Sequence, residues 1–221
     1  MKQSKCEYKH LLLFVVVSLL FAGSDLYGQS RRVSPKGASR ETTENKIKIE
    51  RMPPPNKTAV IQTPEYSVRV RNAMPKISRK AREWALFEIR YSTSAKWTDE
   101  LSFSYYVMTK GEDDKGEEIY NYYTTEVRYI DIPKGDHMSC VAIAPSQVER
   151  YGKPVALALE IVDKEGEVRD VRTESTIALP KEWWKSTAVL DNPKTKRREG
   201  LVDRSKTPFA LINIDDYEVV Q

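Results

Sequence analysis

The chain has 221 residues, with 36 basic and 32 acidic side chains and a formal charge of +4, too mild to point to a nucleic-acid or membrane-surface partner. Only two cysteines and two histidines occur. Cys6 and His10 lie in the export signal predicted at the start of the chain, and the one cysteine and one histidine that remain cannot build a zinc centre of several Cys and His ligands and leave histidine-based hydrolysis a single candidate.

The first predicted element is an export signal. Lys2, Lys5 and Lys9 precede an uncharged apolar run over residues 11–23, LLLFVVVSLLFAG. A membrane-crossing helix needs about 20 residues, so this run predicts a signal peptide over residues 1–28 and not an anchor. Cutting after Gly28 puts Leu26 at the minus-three position; Ala22 is the alternative. No cysteine follows the run, so the lipid-attachment pattern is missing, and a secreted or periplasmic protein of the cell envelope is expected. Cleavage removes Lys2, Lys5, Lys9, Glu7 and Asp25, three basic and two acidic residues, so +4 becomes +3. Cys6 and His10 leave with them. What remains holds one cysteine, Cys140, and one histidine, His137, so the fold has to stand on its hydrophobic core without an internal disulfide.

Residues 29–56 are polar and mixed in charge, and they predict a disordered linker closed by Pro53, Pro54 and Pro55. From residue 57 the texture changes to short β-type runs of period two. Tyr66, Val68 and Val70 alternate with polar residues, as do Phe87, Ile89 and Tyr91. Leu101, Phe103, Tyr105 and Val107 form a third run, and Tyr123, Thr125, Val127 and Tyr129 a fourth. Val141 and Ile143 follow, then Val155, Leu157, Leu159 and Ile161, the most apolar run and one expected at the centre of its sheet. A hairpin over Lys164, Glu165 and Gly166 leads into Val168, Val171 and Ile177. Weak helical signals lie at 78–86 and at Ser146–Tyr151, the second with Ser146 as its cap. Seven or eight strands over 57–180 predict an all-β fold, an immunoglobulin-like antiparallel β-sandwich, with a closed barrel as the alternative. Residues 181–221 predict an extended C-terminal arm whose segment 209–214 adds to a sheet edge in the same chain or in a neighbour.

Candidate chemistry is sparse. His137 and Cys140 are three apart on one strand and so face opposite sides, which denies them a thiolate–imidazolium pair. Cys140 is expected as a small packed residue and His137 as a surface one. The acidic loop 111–118 (GEDDKGEE) raises the question of a cation, but its spacing is not that of an EF-hand, and a solvated hairpin tip is expected. No phosphate-binding glycine loop and no nucleophile elbow occurs. Two carboxylates of a hydrolase are not placed together by any pattern. Nothing calls for a cofactor or metal. The aromatic residues Tyr105, Tyr106, Tyr120, Tyr122, Tyr123 and Tyr129, with Trp97, Trp183 and Trp184, fit either a core or a binding face for protein or carbohydrate. The Trp183–Trp184 pair is expected to plug one end of the sandwich. The basic cluster 194–198 reads as a solvated linker.

Five segments carry a family resemblance: WTDELSFSYYVM at 97–108, IPKGDHMSCVAIAPS at 132–146, RYGKP at 150–154, EWW at 182–184 and TPFALINIDDYE at 207–218. Together they resemble small secreted immunoglobulin-like proteins associated with type IV pilus gene clusters of verrucomicrobial bacteria. The resemblance covers roughly residues 57–218 and implies a role in envelope or pilus assembly, with no catalytic residues. The expected function is non-enzymatic binding or self-association through Phe209, Ile212, Ile214, Tyr217, Trp183 and Trp184. A carbohydrate-binding module is the alternative.

Overall fold

The period-two runs do become strands, but several of them fuse. The structure, a computed structural model, describes residues 45–57, 82–210 and 217, together with the backbone of three short strands between them. The strands are β1 (Ile47–Arg51), β2 (Ala59–Gln62), β3 (Tyr66–Val68), β4 (Ile77–Arg79), β5 (Glu83–Glu112), β6 (Glu118–Ile143), β7 (Lys153–Asp163), β8 (Val168–Ser175), β9 (Thr195–Arg198) and β10 (Leu201–Asp203). Helices α1 (Pro145–Tyr151) and α2 (Thr187–Leu190) are short.

The centre of the fold is the β5–β6 hairpin, antiparallel from Ala85↔Ile143 to Glu112↔Glu118. It accounts for four of the short strands expected from sequence. The register slips between Thr93 and Trp97, where Ser94, Ala95 and Lys96 lie opposite Lys134 alone. Such a bulge bends a hairpin sharply, and the positive φ of Asp131 (53°) and of Gly135 (148°) falls on the same stretch. The hairpin therefore folds over on itself. One layer holds β1 and β2 beside the first part of β5, followed by the last part of β6 and β10. The other runs β8, β7, the second part of β5, the first part of β6 and β9, which pairs in parallel. The result is an all-β sandwich made from one folded sheet.

Inward residues of both layers form a single core. Phe87, Ile89 and Tyr91 face Leu101, Phe103 and Tyr105, with Tyr123, Val127, Tyr129, Val141, Ile143, Leu157, Leu159 and Ile161 completing it. Each contributes roughly 1.5–3 kcal/mol of burial. The layers are also tied by polar groups: the hydroxyls of Tyr105 and Tyr129 both donate to Ser139 Oγ, at 2.6 and 2.7 Å. One flank is closed where the Ile49 N–H of β1 donates to Asp170 Oδ2 of β8 at 2.7 Å.

Several sequence expectations need correction. Residues 47–51, placed in a disordered linker, form β1, and Ile49 is fully buried, because Ile47 and Ile49 supply a two-residue apolar alternation. Residues 195–203 of the supposed arm supply two strands of the main sheet. Segment 78–86 is not helical: the alternation Ala85, Phe87, Ile89 starts inside it. Helix α1 exists, but its N-cap is Ala144 without a side-chain bond, and Pro145 fixes the first turn. Val168 and Val171 are exposed, since β8 is an edge strand.

Candidate interaction surface

The outer face of the second layer carries its own apolar patch, Met108, Tyr122, Ala156 and Ala158, flanked by Tyr106. The segment after Pro180 lies across it. Trp183 and Trp184 are almost fully buried there, so the tryptophan pair covers a face of the sandwich and does not plug its end. Each indole has an assigned acceptor. Trp183 Nε1 donates to Thr173 Oγ1 and Trp184 Nε1 to Glu160 Oε1, both at 3.0 Å. Lys185 Nζ lies 2.5 Å from the same Glu160 oxygen, and that bond pushes the ammonium's pKa up. Burial, and then the negative charge of Glu160, pushes the Tyr106 hydroxyl up. Burial likewise pushes Tyr122 up to about 12. Tyr106 stacks on Trp184, with ring centres 6.2 Å apart.

The other expected interaction residues also lie against their own chain where the structure describes them. Phe209 is half-buried and meets Trp84 edge-on at 6.2 Å. The Ile130 N–H of β6 donates to the Tyr217 carbonyl at 2.9 Å, a strand-edge type of contact. Ile212 and Ile214 lie outside the described residues. His137 is not the surface residue expected: it is 9 % exposed and packed between Tyr91 and Tyr217. Ser139 and Val141 share its inward face, while Cys140, half-buried, lies on the outward face with Met138. The opposite-face expectation for His137 and Cys140 is met in the strand.

The acidic loop is a hairpin tip with its lead carboxylate already occupied. Asp113 Oδ1 accepts the N–H groups of Lys115 and Glu117 at 2.8 and 2.9 Å. The β7–β8 turn repeats the arrangement, Asp163 Oδ1 accepting from Glu165 and Glu167 at 3.0 and 2.9 Å. Both turns share the pattern Asp-x-x-Gly-Glu, with Gly116 and Gly166 at φ 79° and 85°.

That second turn sits beside the bend of the long hairpin, and here lies the most exposed large apolar side chain among the described residues. Trp97 is 59 % exposed, the first residue after the bulge and paired with Pro133. Three rungs along, Ile130 is also turned to solvent. A shallow cavity of about 200 Å³ opens next to Trp97, lined by Asn45, Ile47, Thr98, Asp163 and Arg169. Its rim is charged but internally paired. Lys164 bonds Asp99, and Arg169 Nε lies 2.5 Å from Asp163 Oδ2. Desolvation pushes the Asp163 carboxyl up. The N–H groups of Glu167 and Glu165 and the Arg169 guanidinium outweigh it and hold the group below its ordinary range. An exposed tryptophan inside a ring of satisfied polar groups has the composition of a protein-binding hot spot. Sequence reasoning put Trp97 only among a general set of aromatics. The signal available was its place at the break in alternation.

Residues 38–221 match a protein-family model. The chain belongs to that family. A crystal structure of a protein from Akkermansia muciniphila is similar in fold, with a TM-score of 0.58. The two are 20% identical over 80% of this chain and 94% of that one, a likeness that speaks for the shared fold. No curated protein matches the chain. The protein of similar fold comes from a verrucomicrobium, which is as far as the likeness meets the sequence resemblance. Most of the aromatics weighed for a carbohydrate platform fill the two cores of this family member, which leaves Trp97 as the most exposed of them.

Proposed function

We propose that the protein is an exported, non-enzymatic binding module of the bacterial envelope that works through protein–protein contacts, with the type IV pilus as its partner assembly. The observation that carries the reading is Trp97, displayed at the bend of the β5–β6 hairpin beside ion pairs that need no new partner. A large aromatic fixed on a rigid double strand loses little conformational entropy on docking. The apolar start of the chain and the pilus-linked resemblance supply the compartment and the partner.

The test is co-sedimentation of the mature protein with purified type IV pili, for wild type and for Trp97→Ala. Wild type is expected to pellet with the filaments. The variant is expected to lose at least 2 kcal/mol of affinity, about 30-fold. If wild type stays in the supernatant, the pilus reading falls. If both proteins pellet equally, the contact lies elsewhere than the Trp97 surface.

A further inference from the structure

We infer that the side chain received by the Trp97 surface is an arginine of the protein partner, stacked on the indole and drawn in by two carboxylates at the cavity rim. The inference rests on the Trp97 reading above and adds the chemistry of the occupant. Among the described residues no aromatic ring and no cation packs on Trp97, whereas Trp84, Trp183 and Trp184 each meet another ring. Its indole is therefore open, at a fixed place on a double strand. The electron-rich face of an indole attracts a cation, and a flat guanidinium can also stack on it.

Charge decides between a cationic and a neutral occupant. The cavity beside Trp97 is lined by four carboxylates, Asp99, Glu100, Asp163 and Glu165, and by two cations, Lys164 and Arg169. Lys164 bonds Asp99 and Arg169 bonds Asp163, so both cations are engaged. Glu165 keeps only Lys164 at 3.8 Å, and Glu100 only Arg128 at 3.9 Å, contacts too long for a hydrogen bond. Their side chains are 57 % and 35 % exposed. Lys96, which precedes Trp97, and Lys134, across the bulge, lie outside this lining. The rim thus carries a local excess of negative charge on a chain whose formal charge is +4.

An excess of that sign repels an acidic anchor and favours a basic one. Arginine fits better than lysine, since its planar fork lies on the indole and still donates from its edge to a carboxylate. The same excess makes binding weaken as salt rises, because exposed charges are screened within about 8 Å at physiological ionic strength.

The experiment follows the Trp97 indole N–H by NMR on the mature protein at low salt, the resonance being identified by its loss in Trp97→Phe. The probes are acetyl-Gly-Arg-Gly-amide and the same peptide with citrulline in place of arginine, which keeps the shape and removes the charge. The arginine peptide is expected to move the Trp97 signal and to bind at least about threefold more tightly than the citrulline peptide. Glu100→Gln combined with Glu165→Gln should bring the two affinities together. A Trp97 signal that the arginine peptide does not move, or equal affinities of the two peptides for the wild type, overturns the inference. An arginine preference undiminished in the double variant overturns the part given to the carboxylates. The probes contain no pilus, so the two readings fail separately: pili bound through Trp97 without an arginine preference would keep the docking surface and remove this occupant.

Discussion

Two glycines with nearly the same backbone angle show how much a residue's surroundings decide. Gly152 and Gly166 have φ of 86° and 85°. At Gly166 a Cβ would meet nothing within 4 Å, whereas at Gly152 it would lie 1.8 Å from the Lys110 carbonyl oxygen. Gly166→Ala is expected to cost about 1–2 kcal/mol, the left-handed penalty alone. Gly152→Ala carries that penalty plus a clash with backbone that has no side-chain freedom, and should cost at least about 4 kcal/mol or prevent folding. Urea midpoints of the two variants check the contrast, and equal losses would refute it. The turn at Gly166 was readable in the sequence, since the Asp-x-x-Gly-Glu pattern occurs twice. Gly152 was not, because its constraint comes from β5, more than forty residues earlier.

At the scale of elements, the cover over the second layer gives a prediction in pH. Tyr122 donates its hydroxyl to the Trp184 carbonyl at 3.3 Å, and burial sets its pKa at about 12 against an ordinary 10. The folded state thus keeps a proton that the unfolded chain gives up first. Stability falls as pH rises from about 10 to about 12, because there the folded state binds more protons. Denaturation midpoints measured from pH 8 to 12 should fall over that window. Tyr122→Phe should remove the part that Tyr122 contributes; an unchanged slope would show that other groups carry the loss. The apolar alternation of the strands was legible, down to the inward set Phe87, Ile89, Tyr91 and Leu101, Phe103, Tyr105. The fusion of those runs into one 30-residue strand was not. A bulge breaks the period-two signal, and a broken period looks like a strand end.

For the whole molecule, Phe209 and Tyr217 pack against the sandwich. Cutting after Lys206 strips Phe209 from Trp84 and Tyr217 from Tyr129 and His137. The shortened protein is expected to lose about 2–4 kcal/mol, in line with emptying apolar contacts, and to keep the same number of subunits. Light scattering after size exclusion and a urea titration of residues 29–206 and 29–221 read both quantities. A change in subunit number would assign the segment after Lys206 to assembly.

The sequence by itself determined the β class, the strand faces and the position of the turns, because alternation and turn chemistry act between near neighbours. The tertiary structure alone decided that Trp183 and Trp184 serve an outer core and that His137 is enclosed by Tyr217. It also decided that Trp97 stands in solvent. Those outcomes depend on the fold-over of one hairpin at residues 93–97, which brings together side chains far apart in the chain, and no local pattern encodes such a meeting.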